Sequence, residues 1–162
     1  MSIARLVRHL CTTHWRARRA FPRKTLRAIE RAIHDAETTH TGRIHFVVEA
    51  AMDGLPLLRG QSARERAIDL FSHLRLWDTE DNSGVLIYVL LADRQVEIIA
   101  DRGIHGHVGA AGWGSVCRHM EAAFALGQFE SGTVQGVREV AEHLSQHCPA
   151  DGHHRQERPL IL

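Results

Sequence analysis

The chain has 162 residues, 44% of them hydrophobic and 24% charged, the length and composition of one globular domain with an ordinary core. No apolar stretch approaches the roughly 18 residues of a membrane-spanning helix, and no apolar block followed by small residues marks a secretory signal, so the expectation is a cytoplasmic protein. The formal net charge of +1 conceals a segregation: residues 1–31 carry nine Lys or Arg against the single acid Glu30, which leaves eleven basic and eighteen acidic residues in the remainder.

In chain order, the basic arm comes first. Residues 3–19 place Ile3, Leu6, Val7 and Leu10 on one helical face, while Arg5, Arg8, Arg16, Arg18 and Arg19 supply charge. That pattern suits a membrane surface or a polyanion, or else docking on the acidic body of the same chain or of a second copy. A helix follows over 24–40, with Leu26, Ile29, Ile33 and Ala36 on one stripe and Thr41-Gly42 at its end. "IHFVVEAA", 44–51, alternates as a strand with one better-buried face. Ser62 and Glu65 form a capping box ahead of Ala63, Ala67, Leu70, Phe71 and Leu74, which share a helical face.

"GVLIYVLLA", 84–92, is apolar nearly throughout, the pattern of a strand covered on both sides. Asp93-Arg94 then separates it from "QVEIIA", 95–100, the spacing of a tight antiparallel hairpin in which Ala92 would face Gln95. Glycines at 103, 106, 109, 112 and 114 read as a flexible turn, without a GxGxxG or Walker pattern. Residues 113–126 align Trp113, Val116, Cys117, Met120 and Phe124, and residues 131–148 align Val134, Val137, Ala141 and Leu144 before Pro149. The expected organisation is a basic arm over 1–23, a domain over 24–148 and a mobile tail over 149–162. The expected fold is α/β, an α/β/α sandwich around a short mixed sheet with a right-handed crossover between the first two strands.

The run "WDTEDNSGVLIYVLLADRQVEIIADRGIHG", with "AAFALGQFESGTVQGVREVAEHL" after it, resembles the TPM domain family. There an acidic or Asn-containing loop precedes "NGVLL", a short turn with "DR" precedes "KVRIE", "GYGLEG" follows, and the last helices carry "F..G.Y..G...G". The corresponding residues are Gly84-Val85-Leu86, Asp93-Arg94, Gly103-Ile104-His105-Gly106, and Phe124, Gly127, Phe129, Gly132 and Gly136, in a match over roughly 25–147. The resemblance implies the same α/β/α sandwich. It also implies a choice among divalent cation binding, an acid phosphatase activity and accessory roles beside membrane proteins. Two positions depart from the family pattern, since its two glutamates fall here on Ile99 and His105, which weakens a transfer of calcium binding.

The residues themselves exclude several chemistries. From Asp78 the sixth position is Ser83 and the twelfth Val89, so "DTEDNSG" is no EF-hand. No GxSxG elbow occurs, no cysteine precedes an arginine at phosphatase-loop spacing, and Cys117 lies on an apolar helical stripe as a structural thiol would. Three cysteines without a CxxC pair suggest neither a disulfide framework nor a zinc knot.

One metal constellation remains. With Ala92 facing Gln95, Asn82 would face His105, and the acidic loop and the histidine segment would meet at one sheet edge, with facing Cβ atoms about 5 Å apart. Asp78, Glu80, Asp81 and Asn82 could then converge with Asp101, His105 and His107 on a divalent metal. Mixed oxygen and imidazole donors suit zinc, nickel or manganese better than calcium. The alternative is a solvated acidic loop that keeps the strand entrance wet. Glu49, Asp53 and Asp93 form a weaker candidate at the opposite edge.

The leading functional expectation is a noncatalytic accessory module for a protein partner, a membrane protein among the candidates, with a divalent metal as ligand. A weak divalent-metal phosphatase is one alternative and a membrane-surface or polyanion binder acting through residues 1–20 is another; no nucleic acid is expected.

Overall fold

The structure is a computed structural model that describes residues 3–12, 14–52, 54–79 and 81–150. Its elements are α1 (Ile3–Cys11), α2 (His14–Ala20), α3 (Arg23–Ala36), β1 (Arg43–Glu49), α4 (Gly54–Leu58), α5 (Ala63–His73), β2 (Gly84–Leu90), β3 (Gln95–Ala100), α6 (Arg102–Ala125) and α7 (Phe129–His147). The sheet has the order β1-β2-β3, with β2 parallel to β1 and antiparallel to β3.

Period-two alternation divides β2 between two cores. Val85, Ile87 and Val89 face a cluster with Ile29, Ile33, Trp113, Met120, Val137 and Leu144, contributed by α3, α6 and α7. Leu86, Tyr88 and Leu90 face a second cluster with Met52, Leu57, Ala63, Ala67 and Phe71, contributed by α4, α5 and the segment before them. The expected α/β/α sandwich therefore holds, with α3, α6 and α7 on one face and α5 with the short α4 on the other. The capping box also holds: Glu65 N–H donates to Ser62 Oγ at 3.2 Å and Ser62 N–H to Glu65 Oε2 at 2.7 Å. Phe21, at the end of the basic arm, is buried against Phe46, Phe124 and Phe129 and ties α2 to the larger core.

Four expectations are corrected. The hairpin register pairs Leu90 with Gln95, so a four-residue turn, 91–94, replaces the two-residue one. The reason lies on the other side of β2, where Leu91 and Ala92 spend their N–H groups on the carbonyls of Glu49 and Ala50 at 3.1 and 2.9 Å. Arg94 N–H closes the turn on Leu91 O at 3.2 Å, with Arg94 itself at φ 56°. The shift preserves which face each side chain takes but moves every partner by two, and Asp101, not Gly103, lies opposite Gly84.

The glycine-rich stretch is helical, not a turn. α6 starts at Arg102, and only Gly109 leaves helical geometry, at φ 72° and ψ 169°, where the helix kinks. Gly103 is required by closeness, because a Cβ there would lie 2.7 Å from the carbonyl oxygens of both Asp81 and Asn82. The first core helix stops at Ala36 rather than near 40. Thr38 and Thr39 turn their hydroxyls back onto Asp35 O and Ala36 O at 2.7 Å each, local bonds that compete with helix continuation. The tail is fastened at its start, since His40 bridges to Pro149 and Ala150 N–H donates to Thr39 O at 3.3 Å; residues 151–162 lie outside the described residues.

Burial of β2 on both faces generates a test. Ile87→Asp or Val89→Asp puts a carboxylate where no water reaches, at a cost expected to exceed about 4 kcal/mol. Circular dichroism should show loss of the cooperative thermal transition, and a native-like melt would overturn the two-sided assignment.

Candidate functional site

The expected metal donors are spread along one edge of the sheet. Asp78 and Asp81 are exposed, and Asp81 Oδ2 accepts a hydrogen bond from Thr41 Oγ1 at 3.1 Å. Glu80 lies outside the described residues. Asn82, at φ 49°, turns the chain into β2 and offers its carbonyl to Ile104 N–H at 3.3 Å. The loop and the start of α6 thus do meet, but through backbone. Asp101 is the N-cap of α6: its Oδ1 accepts from Arg102 N–H at 2.7 Å, while its buried Oδ2 has no partner.

The two histidines fail to converge because they stand on a helix. Side chains two positions apart on a helix point about 200° away from each other, and His107 stacks instead on His147, with ring centroids 4.7 Å apart. Among the described residues, no three His, Cys, Asp or Glu side chains are grouped as a metal ion would require.

The opposite edge, where β1 and β2 end side by side, is far more organised. Asp93 in the 91–94 turn has a side chain only 6% exposed. Arg5 holds it from α1, with Nε 2.9 Å and Nη2 2.8 Å from Oδ2, and Nη2 also donates to Gln61 O at 2.7 Å. Arg8 Nη2 lies 3.4 Å from Oδ1. Buried His9 accepts from Met52 N–H at Nδ1, 3.0 Å, which places the proton of the neutral ring on Nε2, 3.1 Å from Asp93 Oδ1. Burial alone would raise the Asp93 pKa; the Arg5 hydrogen bond, the close approach of His9 and the nearby positive charge more than offset it and hold the carboxyl below its usual range.

Glu49, at the end of β1, is held in the same manner from α5. Arg66 grips it bidentately at 3.0 and 2.6 Å, and Tyr88 Oη donates to Oε2 at 2.7 Å. Burial, then the Glu49 carboxylate, pushes the Tyr88 phenol upward, so it stays protonated and a donor. Asp53, the third acid expected here, lies outside the described residues.

Sequence reasoning placed the acids at this edge but not their cations. The signal was the charge segregation, which admits self-docking; what it lacked was the face that docks. α1 turns Arg5, Leu6 and His9 inward and leaves Ile3, Val7 and Leu10 in water.

A family model, the TPM domain, matches residues 18–143. The chain belongs to the TPM domain family. The BA42 protein of the psychrophilic bacterium Bizionia argentinensis, solved by NMR, is similar in structure: TM-score 0.72 and 29% identity over 84% of this chain and 89% of that one. No curated protein matches the chain. The TPM match begins after α1, so Arg5, Arg8 and His9, which hold Asp93, belong to the segment that precedes the family region.

The depressed Asp93 pKa fixes the sign of a pH effect. A carboxyl depressed on folding stabilises the fold above its ordinary value, 3.8, and that contribution is lost as pH falls through the lower folded value. Asp93→Asn should therefore cost about 1–3 kcal/mol at neutral pH, with the deficit relative to wild type shrinking below about pH 4. Urea melts of both proteins across that range check this, and a deficit independent of pH would rule out the ion cluster.

Proposed function

We propose that this TPM-domain protein is an accessory module that acts by binding a protein partner rather than by catalysis. The observation that carries the reading is that both carboxylates at the shared end of β1 and β2, Glu49 and Asp93, are already engaged by the chain's own cations. A general base or a metal-holding carboxylate needs a free lone pair facing substrate, and these two are engaged by Arg66 and Tyr88, and by Arg5 and Arg8. The half-buried Cys117 thiol is pushed up to about 12 by burial and by the charges of Glu97 and Glu121, which removes it as a nucleophile near neutrality. Leu58 at the end of α4, Ile68 on α5 and Trp77 after it are exposed, apolar side chains available to a protein partner.

A divalent metal, zinc, nickel or manganese before calcium, enters this reading as a ligand of the Asp81–Asp101 edge. The free Oδ2 of Asp101 supports it, while the described donors are not gathered into a cage. No step of the function is routed through it.

Turnover and titration separate the alternatives. The purified protein, with manganese or zinc present, should hydrolyse aryl phosphate no faster than Asp81→Asn/Asp101→Asn, a double variant that keeps a capping oxygen at 101. A rate that the double variant loses would move the assignment to a phosphatase. In calorimetry of metal-free protein, binding tighter than about millimolar that disappears in the double variant is the expected metal signature; unchanged or absent binding removes the metal.

A further inference from the structure

The geometry points to the basic arm as a docking surface for an anionic lipid bilayer. α1 is amphipathic but seated backwards for a soluble helix: its polar residues Arg5 and His9 face the domain and its apolar stripe faces water. Ile3, Val7 and Leu10 are 81%, 51% and 72% exposed, and Trp15 at the start of α2 is 64% exposed. Positions 3, 7 and 10 share one helical face. A helix whose only buried contacts were apolar would have hidden them; here the anchor is the ion cluster on Asp93, so the stripe is left for another surface.

The chemistry of the rest of the arm selects the occupant of the stripe. Arg8 keeps a side chain 56% exposed after reaching Asp93, and Arg16, Arg18 and Arg19 are exposed on α2. No acid occurs before Glu30. Arginine forks match phosphate oxygens. A Trp15 ring with the Arg19 guanidinium 5.5 Å from its centroid combines an apolar body with a charged tip, as a headgroup boundary demands. An arm that exposes apolar side chains and carries charges of a single sign fits a lipid surface, where hydrocarbon and phosphate lie within a few ångströms of each other. No described helix is long and apolar enough to cross a membrane, so the contact is with the surface.

Co-sedimentation of the full chain with vesicles tests this. Vesicles of phosphatidylcholine with about one third phosphatidylglycerol should bind the protein at least about tenfold better than pure phosphatidylcholine, with the difference shrinking in high salt. Val7→Asp/Leu10→Asp and, separately, Arg16→Ser/Arg18→Ser/Arg19→Ser should each lose most of that binding. All five positions are exposed, so thermal melts should match wild type and separate lost binding from lost folding. Failure of the wild-type chain to bind, equal binding to neutral vesicles, or undiminished binding by Val7→Asp/Leu10→Asp would overturn the proposal. So would a wild-type dimer in vesicle-free buffer that the same double variant dissolves, which would give the stripe to a second copy.

Discussion

Six consecutive side chains of β2, Val85 to Leu90, lie out of water on both faces of the sheet, and the rest of the architecture answers to that burden. A strand covered on both sides needs a neighbour on each edge and helices above and below; β1, β3, the α3–α6–α7 layer and α5 are those covers. Each Val, Ile or Leu withdrawn contributes about 1.5–3 kcal/mol, so this strand draws the two cores together. The close packing reaches the strand's ends as well. At Gly84 a Cβ would collide with the carbonyl oxygen of Leu76, and at Gly103 with those of Asp81 and Asn82, so both close approaches require glycine.

Polar groups at the end of such a strand must be satisfied locally, because little water reaches them. Tyr88 extends from the smaller core to Glu49, and Arg66 neutralises that carboxylate from α5. Asp93 sits in a turn pulled inward by the pairing of Leu91 and Ala92 with residues 49 and 50, and among the described residues its ion-pair partners all lie on α1. Charge segregation along the chain thus has a structural cause: α1 brings positive charge to an acidic edge and is held in place by it.

The β2 run, the capping box, the extent of β3 and the last helix were legible because each rests on a local pattern, hydrophobic period or paired cap, that the tertiary structure does not override. The register was not. Asp93-Arg94 looks like a two-residue turn only if Leu91 and Ala92 belong to the hairpin, and their commitment to residues 49 and 50 is a long-range fact. The five glycines read as a loop because propensity counts each as a helix breaker; packing against β3 and α7 keeps the segment helical, and a single kink at Gly109 absorbs the tendency. That error, more than the register, undid the convergence of His105 and His107, since a loop can aim two alternate side chains at one point and a helix cannot. Asp81 and Asp101 are each committed elsewhere: one bonds to Thr41 and the other caps α6.

The arm shows why an amphipathic pattern alone does not say which face docks. Burying Ile3, Val7 and Leu10 would stabilise α1 through apolar area, but it would strand Asp93 in a nearly dry turn without a counter-charge, and an uncompensated buried carboxylate costs several kcal/mol. Docking through Arg5 and His9 removes that penalty while still burying part of Leu6 in the smaller core. The electrostatic requirement of one turn therefore outweighs the hydrophobic preference of one helix. The residue of that competition is an apolar stripe left at the surface of α1, on the same helix as the half-exposed Arg8. It is presented by a segment outside the family region and anchored to the acidic turn at Asp93.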